Sequence, residues 1–467
     1  MIFPKVSEKM QVFDEMIEGA NLRKIPHQRE GVEWCLNNEL SSDSVKGGLI
    51  ADEMGLGKTI TMIGTIVCNI KFHTLIVVPL ALLDQWVSEF LKVTGHRILV
   101  YHGLDRREIT IDQLRDSPIV ISTYDIIARG SCMLNEIIWD RAIFDEAHAL
   151  RNSNTGRHKG AKKLDAKIKW LISGTPIQNR KSDFYSLCDI IGLKSDYYTC
   201  SENLVELAKK YLLKRTKKGV GIHLPKLNQE TVNVKWGSEE EKELSAEFHT
   251  LLHFSNMTPN RSSSAIQALN LNSTLPILLR ARQSCILPSL FGDKIKKYMD
   301  DGIIEHDEKL LKATEHHSKI DSVVGKILER KSNGLSKIVF CHFHGEIDII
   351  KKFLSEKGLR VESFDGRTPK EQRSTIFTNQ YDVLILQIQT ACEGLNLQQY
   401  NEIYFVSPHW NPAIEDQAIA RCHRIGQKKP VYVFRFIMGD DEDEKTIDNY
   451  CRVVQENKRE LRVIINQ

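Results

Sequence analysis

Between residues 47 and 175, short apolar runs alternate with amphipathic stretches. The runs are GGLIA (47–51), LIVV (75–78), RILVYH (97–102), PIVIST (118–123), RAIFDE (141–146) and KWLISG (169–174). Each has strand length, is rich in Val, Ile and Leu, and lacks strict alternation, the pattern of strands buried on both faces. KTITMIGTIVCNI follows the first run and ALLDQWVSEFLKV the second, and both read as amphipathic helices. Such alternation predicts a parallel sheet covered by helices. The rhythm stops near Arg180 and resumes near Lys337 with KIVFCHF (337–343), VESFDG (361–366), DVLILQI (382–388), EIYFVSP (402–408) and VYVFRF (431–436). Helical patterns near 345–357, 369–377 and 412–424 lie between these runs. The predicted division is an N-terminal extension (1–20), a first α/β unit (21–180), a mainly helical protrusion and linker (181–335), a second α/β unit (336–437) and a helical tail (438–467). SNMTPNRSSS (255–264), inside the helical stretch, reads as a loop.

Composition changes this picture little. The chain has 467 residues, with 64 Lys and Arg against 61 Asp and Glu, a net charge of +3. That balance speaks against a uniformly basic coat for nucleic acid or membrane surfaces. Charge is nevertheless uneven: residues 157–218 hold 15 basic and 6 acidic side chains, net +9, and Asp440–Glu444 is an unbroken acidic run. None of the ten cysteines forms a C-x-x-C pair, which argues against a zinc module and suits a reducing compartment. The N-terminus has no apolar stretch of signal-peptide length, and the run Leu75–Leu83 is broken by Pro79 at half the length of a membrane span. Secreted and membrane classes are therefore excluded, and an intracellular location is expected.

Candidate chemistry begins directly after the first strand. Asp52-Glu53-Met54-Gly55-Leu56-Gly57-Lys58-Thr59 opens a helix, the context a phosphate-binding loop requires. Gly55 and Gly57 would let backbone N–H groups close around phosphates, Lys58 would reach the terminal phosphates, and the Thr59 hydroxyl would hold Mg²⁺. Asp52 stands where the general pattern has its first glycine. Some 90 residues on, Asp145-Glu146-Ala147-His148 places two carboxylates at a strand's C-terminal edge. Alternation sends them different ways, so Asp145 is assigned to Mg²⁺ and Glu146 to the attacking water.

With these motifs in place, the sequence resembles the superfamily-two helicase-like ATPases, and among them the Swi/Snf-type DNA translocases, over about residues 20–437. IPHQREGVEWCL (25–36) is similar to the family's adenine-recognising element, which implies that Gln28 meets the base. IVVPLALLDQW (76–86) and STYD (122–125) resemble segments that contact the DNA backbone, which puts Ser122 and Thr123 there. SGTPIQN (173–179) matches the coupling motif, implying that Ser173 and Thr175, with His148, link nucleotide state to DNA. LILQIQTACEGLNL (384–397) and DQAIARCHRIGQKKPVYVFRF (416–436) are similar to the last two motifs, and R-I-G-Q after an H-R pair is the most specific match. By it Thr390 and Gln417 join the coupling and DNA set. Arg421 and Arg424, one helical turn apart, are expected to project from one helix face as arginine fingers toward the γ-phosphate. KRTKKGVGIHLPKL (214–227) resembles the family's basic element, implying a DNA or lobe-docking role for Lys214, Arg215, Lys217 and Lys218.

The resemblance implies two RecA-like lobes with parallel sheets joined by a mainly helical linker region. It further implies ATP with Mg²⁺, and nonspecific binding to the phosphate backbone of double-stranded DNA. Translocation along that duplex would remodel nucleosomes or transcription and repair complexes, in the nucleus, at a site of DNA replication or transcription, or in a viral factory. No accessory reader module is visible, and a monomer is plausible. Two departures stand out: Ala391-Cys392 replaces the family's usual double glycine, and Asp52 replaces the first glycine of the general loop pattern, as is usual in this family. The rival readings are an unwinding RNA or DNA helicase of the DEAH type, which R-I-G-Q and W-N-P (410–412) oppose, and a non-catalytic DNA-binding scaffold.

Overall fold

The computed structural model describes residues 6–130, 132–174, 181–252, 274–391, 397–440 and 444–465. Two compact units divide at residues 223 and 224. The first is built on seven parallel strands: β1 (Lys46–Ile50), β2 (Thr74–Val78), β3 (Leu99–Val100), β4 (Ile119–Thr123), β5 (Trp139–Asp145), β6 (Ala166–Ile172) and β7 (Leu212–Leu213). Their order is β3-β4-β2-β5-β6-β1-β7. The second unit has six, β8 (Leu227–Val234), β9 (Lys337–Cys341), β10 (Val361–Phe364), β11 (Val383–Gln387), β12 (Glu402–Phe405) and β13 (Val431–Met438), ordered β10-β11-β9-β12-β13-β8. These pairings are parallel too. Each expected apolar run contains a strand, and central ones such as β2 and β9 are buried along their whole length.

Two edge strands fall outside the apolar pattern. β7 is only two residues long, and β8 (LNQETVNV) is mostly polar and partly exposed, so neither carries an apolar run. Both form because a neighbouring strand offers an open backbone ladder: β7 pairs with β1, and β8 pairs with β13 over its whole length.

The helical stretch 181–335 is not a separate body, since its first part belongs to one unit and its remainder to the other. The N-terminal helix α1 (Val6–Gly19) buries Met10, Phe13 and Ile17 against Val32 and Leu36 of α2 (Pro26–Leu40) and Cys68 at the end of α3 (Lys58–Cys68). It therefore forms part of the first unit rather than an extension. Pro26, at the first turn of α2, needs no N–H donor there. The tail is likewise built in. Helix α9 (Ile447–Ile465) brings Asp448 to Lys319 of α7 (Ser318–Glu329), both buried, and Asp448 also accepts from Ser407 Oγ (2.8 Å) and Met438 N (3.0 Å). In the intervening order, α4 (Leu83–Thr94) covers the first sheet, while α5 (Glu239–Leu251) and α6 (Thr274–Ile286) pack in the second unit's core, and α8 (Pro412–Cys422) precedes β13.

The first unit is pinned by a fully buried ion pair. Glu39, at the end of α2, accepts from Arg141 Nε (2.6 Å) and Nη2 (2.5 Å) on β5, from Trp170 Nε1 (2.8 Å) on β6 and from Asn69 Nδ2 (2.7 Å) after α3. Two helices and two strands thus share one carboxylate. Every described cysteine is free, and seven of them are buried as small core side chains. No described helix is long and apolar enough to cross a membrane. Arg141→Ala strands Glu39 in the core. It should lower stability by about 3–5 kcal/mol, read as a fall in the urea midpoint of the first unit's tryptophan fluorescence; an unchanged midpoint would contradict this role.

Candidate nucleotide site

The phosphate loop leaves β1 and enters α3, turning through Gly55 (φ 89°) and Gly57 (φ 84°). Both lie in the left-handed region that glycine enters without strain. At Gly57 a Cβ would also sit 2.0 Å from Gln28 Nε2, so a side chain there would displace Gln28 from the loop. Gln28 is buried and donates to the carbonyl of Leu56 (3.2 Å), which His27 Nε2 also reaches at 3.0 Å. The first turn of α2 therefore lies on the loop, and Gln28 sits beside the expected phosphate cradle. Lys58 Nζ donates to the Asp52 carbonyl (3.0 Å), and Thr59 is half-buried in the first turn of α3.

The acid pair sits two strands away on the same sheet. Asp145 ends β5, and its Oδ2 accepts from Trp86 Nε1 of α4 (2.7 Å) while its Oδ1 accepts from the Glu146 N–H (2.8 Å). Its backbone carbonyl accepts from the buried Tyr124 hydroxyl (2.7 Å). Burial, and then the charge of Glu146, push the Asp145 carboxyl up to about 6, opposed by the Trp86 and Glu146 N–H bonds and by the Lys58 charge. Glu146 adopts φ 49°, a strained value for a side chain with a Cβ, and stands 3.2 Å from His148 Nδ1. A carboxylate held above its ordinary range by burial and by a neighbouring carboxylate is one that a cation would stabilise in its charged form, so these residues fit a Mg²⁺ ion.

The start of the coupling segment is close by. Ser173 N donates to Ile50 O (3.0 Å), and a Cβ on Gly174 would lie 3.4 Å from Lys58 Nζ. Thr175 lies outside the described residues.

Ser122 and Thr123 face inward. The Ser122 hydroxyl is buried and donates to Tyr101 O (2.8 Å), and Thr123 Oγ1 pairs with His102 Nδ1 (3.1 Å). Both hydroxyls brace strand β4 from the interior. Six cations of the +9 segment are paired with carboxylates. Arg157 pairs with Asp125, Lys162 with Asp189, Lys167 with Asp140, Lys210 with Asp43, Arg215 with Asp52 and Lys217 with Glu53.

In the second unit, α8 carries Gln417, which is buried and whose Nε2 has no hydrogen-bond partner among the described residues, and Arg421 in its last turn. The helix ends at Cys422 because His423 leaves helical geometry and its ring meets the Pro225 carbonyl (2.7 Å). Arg424 therefore lies past the helix end, and the expectation of one shared helix face for both arginines is corrected. Two glutamines hold the loop beyond α8 in place. Gln427 donates to Gln398 O (2.8 Å) and Cys422 O (3.2 Å) and accepts from Asn401 Nδ2 (3.1 Å), while Gln398 donates to Ile425 O. With Gly426 at φ 99°, the glycine and glutamine of R-I-G-Q thus shape the loop that holds Arg424. Thr390 lies on the short helix Ile388–Ala391, its side chain not among those described, and Cys392 lies outside the described residues. Residue type alone does not single out Trp86, Arg215, Gln398 or Gln427 as site groups. Motif context marks the segments around Trp86, Arg215 and Gln427, though for Arg215 it implies a DNA or lobe-docking role.

A glycine-lysine loop between a strand and a helix, beside a strand-end acid pair on one parallel sheet, with a second parallel-sheet unit in the same chain, is the arrangement of a helicase-like nucleotide hydrolase. Residues 27–290 match the SNF2-related domain and residues 318–426 the helicase conserved C-terminal domain. The chain belongs to the SNF2-related family of helicase-like ATPases. It is 29% identical to the probable global transactivator of Orgyia pseudotsugata multicapsid polyhedrosis virus, over 95% of this chain and 91% of that one. It is 27% identical to human DNA excision repair protein ERCC-6-like over 90% of this chain but only 40% of that protein. Among solved structures it is similar to the Sulfolobus solfataricus SWI2/SNF2 ATPase core in complex with dsDNA, 25% identical, covering 90% of this chain and 89% of that one, with a TM-score of 0.42.

The raised Asp145 carboxyl has a testable sign. The native state holds a proton that the unfolded chain, near the ordinary 3.8, has already lost. Native stability therefore falls as pH rises from about 4 to about 6, and the deficit persists above. In Mg²⁺-free buffer Asp145→Asn should raise Tm at pH 7.5 by several degrees, at roughly 2–4 °C per kcal/mol, and do so far less at pH 4. Equal Tm shifts at both pH values would exclude the buried-carboxylate account.

Proposed function

We propose that this chain is an ATP-dependent translocase on double-stranded DNA, hydrolysing ATP to displace or remodel proteins bound there. One observation carries the reading. Lys58, Gly55, Gly57, Asp145 and Glu146 all sit at the C-terminal edge of a single sheet, with Gln28 of α2 against the phosphate loop. In the proposed mechanism Gln28 meets adenine, and loop N–H groups with Lys58 hold the phosphates. Thr59 and Asp145 are the residues that would hold Mg²⁺, which when bound offsets phosphate charge. So small a protein ligand set suits an ion that keeps several waters and shares its coordination with substrate phosphates. Glu146 orients the water that attacks the γ-phosphorus as ADP leaves, with His148, Ser173 and Thr175 relaying nucleotide state. Arg421 and Arg424 stabilise the transition-state charge, and Arg424 is presented by the Gln398–Gln427 loop rather than by the helix.

Duplex DNA as the track is supported by family membership, which spans both units of the chain. Contacts of this kind run through phosphates, so binding is nonspecific and weakens with salt. The segments carrying Ser122, Thr123, Thr390 and Gln417 belong to this DNA and coupling side, with Ser122 and Thr123 acting from the interior as braces. Nucleosomes, transcription complexes or repair intermediates are the proposed obstacles. Work in the nucleus or at another site of DNA replication or transcription follows from that role.

Lys58→Ala and Glu146→Gln should each lower DNA-stimulated ATP hydrolysis at least 100-fold with unchanged circular dichroism; near-normal turnover in either would refute the site. Arg424→Ala should keep nucleotide binding and lose turnover. Triplex displacement should proceed on duplex DNA with ATP, whereas stimulation by RNA alone, or separation of forked strands, would favour an unwinding helicase.

A further inference from the structure

Arg215, expected from its basic segment to serve DNA or lobe docking, is spent on the phosphate loop. Its side chain is 14% exposed and faces Asp52, which is 1% exposed. Asp52 Oδ1 accepts from the Arg215 backbone N–H (3.0 Å) and from Nε (3.1 Å), and Oδ2 accepts from Nη2 (2.5 Å). Nη1 donates to the His27 carbonyl, next to Gln28. A Cβ on Gly31 would come within 2.8 Å of Nη2, so α2 is shaped to admit the guanidinium. The backbones interlock as well: Ala51 N donates to Leu213 O (2.7 Å) and Glu53 N to Arg215 O (2.9 Å). Lys217 completes the contact, with its N–H donating to Glu53 Oε2 (2.8 Å) and its Nζ 3.1 Å from Glu53 Oε1.

We infer that Arg215 is a positioning residue for the nucleotide site, holding the phosphate loop and the Gln28 turn in register through Asp52. This also explains an aspartate where the general loop has glycine. Its carboxylate anchors the segment that follows β7, and that segment leads on to the second unit. The chain leaving the first unit is thus part of the loop's support. The inference rests on the ATP-site reading for its consequence, but the clamp itself has a readout that needs no nucleotide.

Amide hydrogen exchange in nucleotide-free full-length chain reads the clamp directly. Arg215→Ala and Asp52→Asn should each speed exchange at Ala51 and Glu53 at least tenfold and leave β9 amides unchanged. Arg215→Lys keeps the charge without the forked donors and should recover only part of the protection. The double variant Asp52→Asn with Arg215→Ala should be no worse than either single one. In ATPase assays the single variants should raise KM for ATP at least fivefold with kcat within twofold, and duplex DNA affinity should not change. Unchanged exchange, additive losses, or weakened DNA binding at normal KM would each overturn the clamp. Should the wild-type chain lack ATPase activity, the functional reading fails, and exchange still decides the clamp. If Arg215→Ala does not fold, Arg215→Lys and Asp52→Asn carry the same comparison.

Discussion

Parallel pairing of β5, β6, β1 and β7 is the constraint on which the site depends. Strands that run the same way deliver all their following loops to one edge of the sheet. The acid pair after β5, Ser173-Gly174 after β6, the phosphate loop after β1 and the Arg215 segment after β7 therefore meet without any of them being neighbours in sequence. Residues 52, 145, 173 and 215 are separated by tens of positions and gathered by strand order alone. An antiparallel insertion at any of these strands would send one loop to the opposite edge.

Within that frame, buried carboxylates supply most of the specificity. Glu39 is satisfied by four donors from Arg141, Trp170 and Asn69 and fixes how α2 and α3 lie on the sheet. Asp52 is satisfied by one arginine and fixes the phosphate loop. Asp145 differs: it has donors from Trp86 and Glu146 N–H, but among the described residues no cation pairs with it, and burial first and then the neighbouring Glu146 charge hold it above the usual carboxylate range. Glu39 and Asp52 are paired with arginines, and the carboxylate assigned to chemistry is left without such a partner.

Much of this was legible in the residues, because buried parallel strands and glycine-lysine loops impose local patterns. All the expected apolar runs became strands, and the helices after β1 and β2 formed where their amphipathic spacing placed them. Patterns failed where a partner rather than the segment decides the outcome. β8 is polar and forms only because β13 has an open edge, and Arg424 leaves the helix because His423 is drawn to a carbonyl distant in sequence. Ser122 and Thr123 show the same limit. Their hydroxyls suit a phosphate contact by type, and packing turned both inward.

The sequence alone determined the α/β class, the phosphate loop, the acid pair and the family, since each depends on local spacing and residue chemistry. Tertiary structure alone decided which charges are free to act. Six cations of the 157–218 segment are committed to carboxylates of the first unit, and Arg215 passes from a surface role to the support of the nucleotide loop. The reason is that charge pairing is set by distance in space, which strand order creates and linear spacing does not encode.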